Sequence, residues 1–262
     1  MFKDILITKS SRLAQNDVYD QVIRIINKPR SFSSQKITEI DGEKLSPEDI
    51  RGRDMIIAIG GDGTMLRTSS YIVNENLVAI NADMKESEGA LCNLNEKNIE
   101  GLEQILRGEY STLKRTRAVV HINGKRLREL ALNEAYIGKM NEFDTAHYII
   151  NFEGISEEHR SSGVIVATGS GSSGWYHSAQ GERFKHDAEE LRFLVREPVK
   201  GRVFRPTILQ GVIGKYEKIS FISTRDYGGV IALDGYKVYD FNNKDIATVE
   251  LSEKYLHVLI PK

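Results

Sequence analysis

The N-terminal part of the chain alternates short apolar runs with longer segments whose apolar residues have helical spacing. The runs have the length and β-branched content of buried strands. Such strands are expected at residues 4–8, 36–40, 55–59 and 77–80. Helices are expected from Ser10 or Ser11 to about residue 27, as one turn at 47–50, from the third strand to about residue 73, and at 99–107. Strands and helices in this alternation predict a parallel sheet with helices on its faces.

From about residue 112 onward, short runs with strand character dominate, and the turns between them carry Gly or Asn. Strands are expected at 114–122, 126–131, 134–138, 148–152, 163–167, 207–212, 218–223, 230–233 and 255–260. The charge-rich segment 182–196 is expected to be a solvated helix or loop. The fold class is therefore α/β. A Rossmann-like parallel α/β domain is expected at 1–113 and a mainly antiparallel, β-sandwich-like domain at 114–244, with about 245–262 as a candidate to return to the first domain.

The bulk composition excludes several classes of function. The 262 residues carry a net charge of −1, so no global basic field attracts nucleic acid or an anionic membrane. No apolar run approaches the roughly 20 residues that cross a bilayer, and the N-terminus fits a first strand better than a signal peptide. The single cysteine, Cys92, excludes an internal disulfide and a cysteine-based zinc site. Together these features predict a cytoplasmic protein.

The most informative polar feature follows the third expected strand and reads Gly60-Gly61-Asp62-Gly63-Thr64. Glycines let backbone N–H groups approach a phosphate closely, and a helix that begins here adds a positive partial charge. Asp62 repels phosphate, so it is expected to be a base toward a hydroxyl group or a holder of magnesium. A solvated Asp in a tight strand-to-helix turn is the alternative. The spacing matches neither a Walker A loop nor the dinucleotide fingerprint.

A second glycine-rich loop follows the expected strand at 163–167. It reads Thr168-Gly169-Ser170-Gly171-Ser172-Ser173-Gly174-Trp175, and a helix through residue 179 is expected after it. Its hydroxyl and backbone N–H groups can bind phosphate or ribose oxygens without steric bulk. A flexible surface linker is the alternative interpretation of this loop.

The first motif resembles that of the NAD kinase family and the wider superfamily of diacylglycerol and sphingosine kinases, which carry Gly-Gly-Asp-Gly-Thr at a strand end. The second loop is similar to the family's Thr-Pro-x-Gly-Ser-Thr-Ala-Tyr, with Gly169, Gly174 and Trp175 replacing the proline, alanine and tyrosine. The resemblance implies that Trp175 packs under a sugar or base, whereas a core position is the alternative. Further matches, between about residues 54 and 240, are Asn133-Glu134, Asp234-Gly235 and Arg205-Pro206.

Two features depart from the family pattern. The family reads Asn-x-Gly-x-Leu-Gly-Phe-Leu after the fourth strand, whereas this chain has a longer segment from Asn81 to Leu91. Ser162 stands where the family has an aspartate before the glycine of its Asp-Gly-Val segment. Both departures resemble the diverged, mitochondrial-type branch of the family.

The resemblance implies an ATP-dependent transferase, a kinase that phosphorylates the 2′-hydroxyl of the adenosine ribose of NAD to give NADP. Asp62 would be the base, and magnesium would bridge the ATP oxygens, mostly through phosphate and water ligands. The implied phosphate-binding residues are Gly61, Gly63, Thr64, Gly169, Gly171 and Ser172. The implied NAD-binding residues are Asp62, Gly63, Asn133, Glu134, Ser170, Ser173, Gly174, Trp175, Ser178 and Asp234.

The resemblance also implies a homodimer or homotetramer, with no nucleic-acid or membrane partner. Two alternatives stay open. One is a kinase for a lipid or another small hydroxyl substrate on the same fold. This alternative stays open because Ser162 replaces an aspartate of the family. The other is a non-catalytic dinucleotide sensor. The presence of Asp62 argues against it, because a carboxylate beside the phosphates does not increase the affinity of a protein that only binds them.

Overall fold

The structure is a computed structural model that describes residues 2–11, 17–28, 35–141 and 143–262. The chain forms two compact units. The first contains residues 1–114 and 255–262, and the second contains residues 115–254. Among the described residues, no helix combines the length and the apolar character that a membrane-spanning helix needs.

The first unit is built on a sheet with helices. Its strands are β1 (Asp4–Lys9), β2 (Lys36–Asp41), β3 (Met55–Gly60), β4 (Asn76–Asn81), β5 (Leu94–Asn95), β6 (Tyr110–Arg115) and the C-terminal β19 (Leu256–Pro261). Its helices are α1 (Asp17–Ile26), α2 (Pro47–Ile50), α3 (Asp62–Ser69) and α4 (Gly101–Arg107), with a 3₁₀ turn at Glu96–Asn98. The strand order is β2-β1-β3-β4-β19-β6, and β5 pairs with β4.

The core of the first unit lies where its central strands meet the helices. Every residue of β3 is buried, which explains why this strand reads as a continuous apolar run. Strands β1, β2, β3 and β4 pair in parallel, as expected for a sheet whose strands alternate with helices. Apolar residues of α1 and α4 complete this core together with Leu259 of β19. The predicted Rossmann-like parallel domain is confirmed.

Strands β1 to β4 and β19 match the sequence predictions closely, whereas β5 was not predicted and the helix ends differ. Helix α3 ends at Ser69 rather than near residue 73. Helix α4 begins at Gly101 rather than at residue 99. The described part of α1 begins at Asp17, and residues 12–16, through which the predicted start of this helix runs, lie outside the described residues.

The second unit consists mainly of antiparallel strands. They are β7 (Ala118–Ile122), β8 (Lys125–Arg126), β9 (Glu134–Lys139), β10 (Ala146–Phe152), β11 (Ile155–Ser161), β12 (Gly163–Ala167), β13 (Glu190–Arg196), β14 (Gln210–Gly214), β15 (Lys218–Ser223), β16 (Gly229–Leu233), β17 (Lys237–Asp240) and β18 (Ile246–Leu251). A 3₁₀ turn at Gly171–Ser173 and the short helix α5 (Trp175–Ser178) follow β12.

These strands form two sheets of six strands each within the described residues. The first sheet has the order β11-β10-β15-β18-β7-β8, and the second has the order β14-β13-β12-β9-β16-β17. One buried apolar cluster contains residues of both sheets, among them Tyr148 and Phe221 of the first and Ile137 and Phe193 of the second. Two sheets that share a core between their inner faces form a sandwich, so the predicted β-sandwich-like domain is confirmed.

Several predictions for the chain from residue 110 onward were wrong in detail. The segment 182–196 contains strand β13, in which the buried residues Leu191, Phe193 and Val195 alternate with half-buried ones. The strand expected at 114–122 is two strands, β6 and β7. Of the strand expected at 126–131, only Arg126 lies in a strand, β8, and Ala131 forms a single antiparallel bridge with Ala118. Strands β11, β17 and β18 were also missed. Most residues of β11 and β17 are exposed or half-buried, so no apolar run marks these two strands.

Candidate active site

The first glycine motif forms the turn between β3 and α3. Gly61 is the residue that precedes α3, and Asp62 is the first residue of the helix. A Cβ atom at Gly60 would lie 2.3 Å from Oγ1 of Thr64, and one at Gly61 would lie 2.6 Å from the side chain of Ser87. A side chain at either position would collide with neighbouring atoms, so packing within the protein is sufficient reason for glycine at both. Gly63 differs, because it is exposed and a Cβ there would meet no atom within 4 Å.

This turn lies at a topological switch point of the parallel sheet. From β1 the chain continues to β2 on one side, and β3 and β4 lie on the other. The carboxyl ends of β1 and β3 are neighbours, because Ser10 N–H donates to the carbonyl of Ile59 over 3.1 Å. Crevices at switch points are where open α/β sheets bind ligands. The motif that the sequence singled out thus occupies the position that this fold uses for binding.

The carboxylate of Asp62 is half-buried and is held by the backbone of a neighbouring segment. Leu91 N–H donates to Oδ1 over 2.8 Å, and Ala90 N–H donates to Oδ2 over 3.1 Å. The backbone N–H of Asp62 itself donates to Oγ of Ser87 over 3.2 Å. Each carboxylate oxygen retains a second lone pair for another donor. Asp62 is thus a fixed side chain and not a freely solvated one.

In the second unit, the side chain of Asp234 holds the backbone of Asn133 and Glu134 in place. Its carboxylate accepts from three successive backbone N–H groups, those of Leu132 at 2.9 Å, Asn133 at 2.7 Å and Glu134 at 3.1 Å. The N–H of Asp234 donates back to the carbonyl of Glu134. The three N–H bonds favour the ionised carboxylate, but burial outweighs them and raises the pKa of Asp234 to about 6.

Glu134 lies beside Asp234 and is 6% exposed. Burial, and then the negative charge of Asp234, raises the pKa of Glu134 to about 8. The three N–H donors on Asp234 and the raised pKa of Glu134 therefore favour one shared proton near neutral pH, held mainly on Glu134. An ionised Glu side chain offers only acceptor oxygens, whereas a protonated one also offers one O–H donor.

Thr168 connects the second glycine-rich loop to this pair. Its N–H donates to the carbonyl of Asn133 over 2.9 Å, and its hydroxyl donates to the carbonyl of Leu132. Gly171 N–H donates to Oγ1 of Thr168 over 3.2 Å. A Cβ atom at Gly171 would lie 2.0 Å from the carbonyl oxygen of Asn133. The loop and the Asn-Glu segment are therefore packed backbone against backbone.

The buried hydroxyls of this loop have protein partners. The Ser170 hydroxyl accepts from Nη1 of Arg115 over 3.1 Å. Ser172 is 1% exposed, and its hydroxyl bonds to the backbone of Gly169 and Phe184. Gly169 is buried too, and a Cβ there would overlap the carbonyl of Lys185. These contacts fix the loop against its surroundings, unlike a flexible linker.

The end of the loop faces outward. Ser173, Gly174, Trp175, His177 and Ser178 are exposed there. The Trp175 ring packs against Tyr136 with ring centroids 5.1 Å apart, and the Arg196 guanidinium lies 4.9 Å from its centroid. Trp175 is 36% exposed, so it is not a core residue. An exposed indole supported from beneath can take a flat or apolar group on its open surface.

The predicted site residues fall into two groups. Gly61, Asp62, Gly63 and Thr64 lie together in the first unit, and the remaining predicted residues lie together in the second. Sequence reasoning missed side chains that contact them, namely Ser87, Arg115, Tyr136 and Arg196. Of these, Ser87 alone carried a signal, because it lies in the segment that departs from the family pattern. A lone Arg or Tyr in a strand gives no such signal.

Asn133 has one further feature of a binding residue. Its Oδ1 is buried and has no hydrogen-bond partner in the described part of the chain. A buried acceptor without a donor is costly unless a ligand or water supplies one. This oxygen lies in the segment that contacts both Asp234 and the loop from Thr168 to Trp175.

The sequence was compared with characterised proteins. No family model matches the chain. It is 38% identical over 138 residues to an NAD kinase from Methanothermobacter thermautotrophicus, a match that covers 51% of this chain and 48% of that protein. It is 30% identical over 210 residues to an NAD kinase from Thermoplasma volcanium, covering 77% of this chain and 71% of that protein.

Solved structures agree on the fold. The chain superposes with a TM-score of 0.76 on the crystal structure of an NAD kinase from Archaeoglobus fulgidus in complex with ATP. The superposition covers 97% of this chain and 92% of that chain, at 21% sequence identity.

Proposed function

The chain belongs to the NAD kinase family, and we propose that it transfers the γ-phosphoryl group of ATP to the 2′-hydroxyl of the adenosine ribose of NAD, giving NADP. The observation that carries this proposal is the fixed carboxylate of Asp62 in a glycine turn at the switch point of the parallel sheet. A carboxylate there serves proton transfer better than phosphate affinity, and phosphoryl transfer to a hydroxyl needs a proton acceptor.

Asp62 would accept the proton of the attacking hydroxyl through a lone pair that Ala90 and Leu91 leave open. No atom lies within 4 Å of the position that a Cβ would take at Gly63, so a phosphate or ribose can approach its backbone closely. The groups proposed to hold the phosphates of ATP are Gly61, Gly63, Thr64, Gly169, Gly171 and Ser172. Because the hydroxyl of Ser172 is engaged within the fold, its contribution would come from the backbone.

For NAD, the proposed partners include Asn133, Glu134 and Asp234. The buried, partnerless oxygen of Asn133 supports this role, since a ribose hydroxyl would supply the missing donor. Protonated Glu134 would donate to a ribose oxygen, while Asp234 holds the backbone of the pair in place. Ser170, Ser173, Gly174, Trp175 and Ser178 would complete the NAD site, with the exposed face of Trp175 against a ring or sugar.

Magnesium would enter as part of the ATP substrate and neutralise charge on the transferred phosphoryl group. The described residues include no cluster of three or more His, Cys, Asp or Glu side chains that could hold a metal ion. Removing free magnesium with a chelator is expected to abolish turnover.

We also propose that the protein forms a homodimer or homotetramer, as the family resemblance implies, and that it acts in the cytoplasm. A chain with one cysteine suits a reducing compartment such as the cytoplasm. Light scattering of the purified protein would measure the assembly, and cell fractionation would measure the location. A monomer at micromolar concentration would contradict the first proposal.

A coupled assay with purified protein, ATP, magnesium and NAD tests the activity. NADP formation is read by an NADP-specific dehydrogenase, with NADH offered as a parallel acceptor. Parallel reactions replace NAD by a diacylglycerol dispersion or omit ATP. Binding of NAD by calorimetry without any turnover would favour the sensor. Turnover of the lipid alone would instead show a kinase of different specificity.

A further inference from the structure

The segment 83–91, in which the chain departs from its family, folds directly onto the glycine turn. Its central residue, Ser87, is half-buried against Gly61. The Ser87 hydroxyl oxygen accepts from the N–H of Asp62 at 3.2 Å and from the N–H of Gly89 at 3.3 Å. Through these two hydrogen bonds, the side chain of Ser87 connects the first residue of α3 to Gly89, near the C-terminal end of the segment.

Two other contacts fix the shape of this segment. The Asn81 side chain, 4% exposed, donates from Nδ2 to the carbonyl of Ser87 over 3.0 Å and accepts from Asp83 N–H through Oδ1. Gly89 has φ of +66°, and a Cβ there would lie 2.3 Å from Nδ2 of Asn81. The turn at Gly89 then directs the N–H groups of Ala90 and Leu91 at the carboxylate of Asp62.

We propose that Ser87 is a positioning residue that fixes the orientation of the Asp62 carboxylate through the segment 83–91. This inference rests on the proposed function, in which Asp62 accepts the proton. A carboxylate can rotate about its side-chain bonds, and only some orientations aim a free lone pair at a hydroxyl group. With Leu91 on Oδ1 and Ala90 on Oδ2, the remaining lone pairs have fixed directions.

The physical consequence is an effect on rate and not on affinity. Small errors in the placement of a reacting group can cost on the order of 10²-fold in rate. The Ser87 hydroxyl bonds to the backbone N–H groups of Asp62 and Gly89, and Ser87 is not among the residues proposed to bind NAD. Loss of its hydroxyl should therefore lower kcat while leaving the KM for NAD nearly unchanged.

The test is a double-mutant cycle with Ser87→Ala and Asp62→Asn, and Glu88→Ala is the matched control. Glu88 is an exposed neighbour in the same segment. We expect Ser87→Ala to lower kcat about 10-fold or more, with KM within about 2-fold of the parent and Glu88→Ala unchanged. In the Asp62→Asn background, Ser87→Ala should have almost no further effect on the residual rate. Residual rates are read with γ-labelled ATP.

Amide hydrogen exchange gives a readout that does not depend on activity. In Ser87→Ala, the N–H groups of Ala90 and Leu91 should exchange about 10-fold faster or more, while those of β3 keep their protection. An unchanged kcat, or an equal loss of rate with and without Asp62, would overturn the proposal. If the parent protein makes no NADP, the proposed function fails, and unchanged exchange at Ala90 and Leu91 would separately refute the role of Ser87.

Discussion

At the scale of single residues, the candidate site is a set of polar groups held by backbone amides. Two N–H groups fix Asp62, and three fix Asp234. Backbone donors are rigid parts of the fold, so the carboxylates are preorganised before any ligand arrives. Substitutions at these positions can therefore separate chemistry from binding.

Asp62→Asn is expected to lower kcat by about 10² to 10⁴ while NAD affinity stays within a few-fold of the parent. The amide keeps the size of the carboxylate and can accept from one backbone N–H, but it cannot take a proton at neutral pH. Steady-state kinetics and calorimetry measure the two effects. Asp20→Asn, an equal loss of charge on an exposed face of α1, is the control. Parent-like turnover in Asp62→Asn would exclude the base role.

Asn133→Ala is expected to weaken NAD binding by about 0.5–1.5 kcal/mol, with ATP binding unaffected. Because Oδ1 of Asn133 has no partner in the described chain, its removal breaks no internal hydrogen bond at that atom. Calorimetric titration with each nucleotide measures the difference, and Asn27→Ala on the surface serves as control. Equal NAD affinities in parent and variant would remove Asn133 from the site.

Glu134→Gln should change how stability depends on pH. The pKa of Glu134 is about 8 in the folded state and about 4.3 when unfolded, so the folded protein binds the extra proton between these values. The free energy of unfolding of the parent therefore falls as pH rises through this window. The Gln variant lacks this titration, so its stability relative to the parent should rise by about 4 kcal/mol between pH 5 and pH 8.5.

Denaturant unfolding of both proteins across that pH range measures the effect. Glu158→Gln, an exposed carboxyl on β11, is the control for the loss of a surface charge. A constant difference between the Glu134→Gln and parent curves would show that Glu134 is ionised in the folded state at neutral pH.

At the scale of elements, the second glycine-rich loop depends on close packing between two backbones. Gly171 sits against the carbonyl of Asn133, and Thr168 bonds to both Leu132 and Asn133. The sequence analysis attributed the glycines to ligand approach. The structure adds that at Gly169 and Gly171 the protein itself occupies the space that a side chain would need.

Gly171→Val is therefore expected to lower both stability and activity. The new Cβ would overlap the Asn133 carbonyl, and overpacking of this kind costs about 1–3 kcal/mol. Displacement of the Asn-Glu segment should raise the KM for NAD at the same time. Thermal unfolding and kinetics on one preparation measure both effects. Gly201→Ala, where a Cβ meets no atom within 4 Å, should leave both unchanged. Parent-like values for Gly171→Val would refute the packing account.

At the scale of the whole molecule, the chain leaves the first unit near residue 114 and returns to it at residue 255. Strand β19 enters the parallel sheet between β4 and β6 and places Leu259, fully buried, in the first core. The first unit is therefore built from segments separated by the complete second unit.

Leu259→Ala should destabilise the first unit by about 2–5 kcal/mol, because it leaves a cavity in a core that α1 and α4 also line. Denaturant unfolding, together with amide exchange across β3 and β4, measures the loss. Lys262→Ala at the exposed terminus is the matched control. Unchanged exchange in β3 and β4 would show that β19 contributes little to the first core.

The sequence by itself determined strands β1 to β4 and the position of the first glycine motif at the end of β3. A run such as β3 is apolar at every position because both faces of a parallel strand are buried, so composition alone marks it. Glycines on both sides of Asp62, directly after an apolar strand, likewise predict a tight turn at the end of that strand. Exposed strands such as β11 escaped prediction, because strand pairing there depends on a partner and not on local pattern.

Only the tertiary structure decided which groups meet. Asp234 binds the N–H of Leu132 from 102 positions away, and Leu91 binds Asp62 from 29 positions away. Local propensity and periodicity carry no information about such pairs, because the free energy of a long-range contact depends on the packing of the elements between them. Burial and the neighbouring charge of Asp234 also raise the pKa of Glu134, whereas the residue type alone predicts a side chain that is ionised at neutral pH.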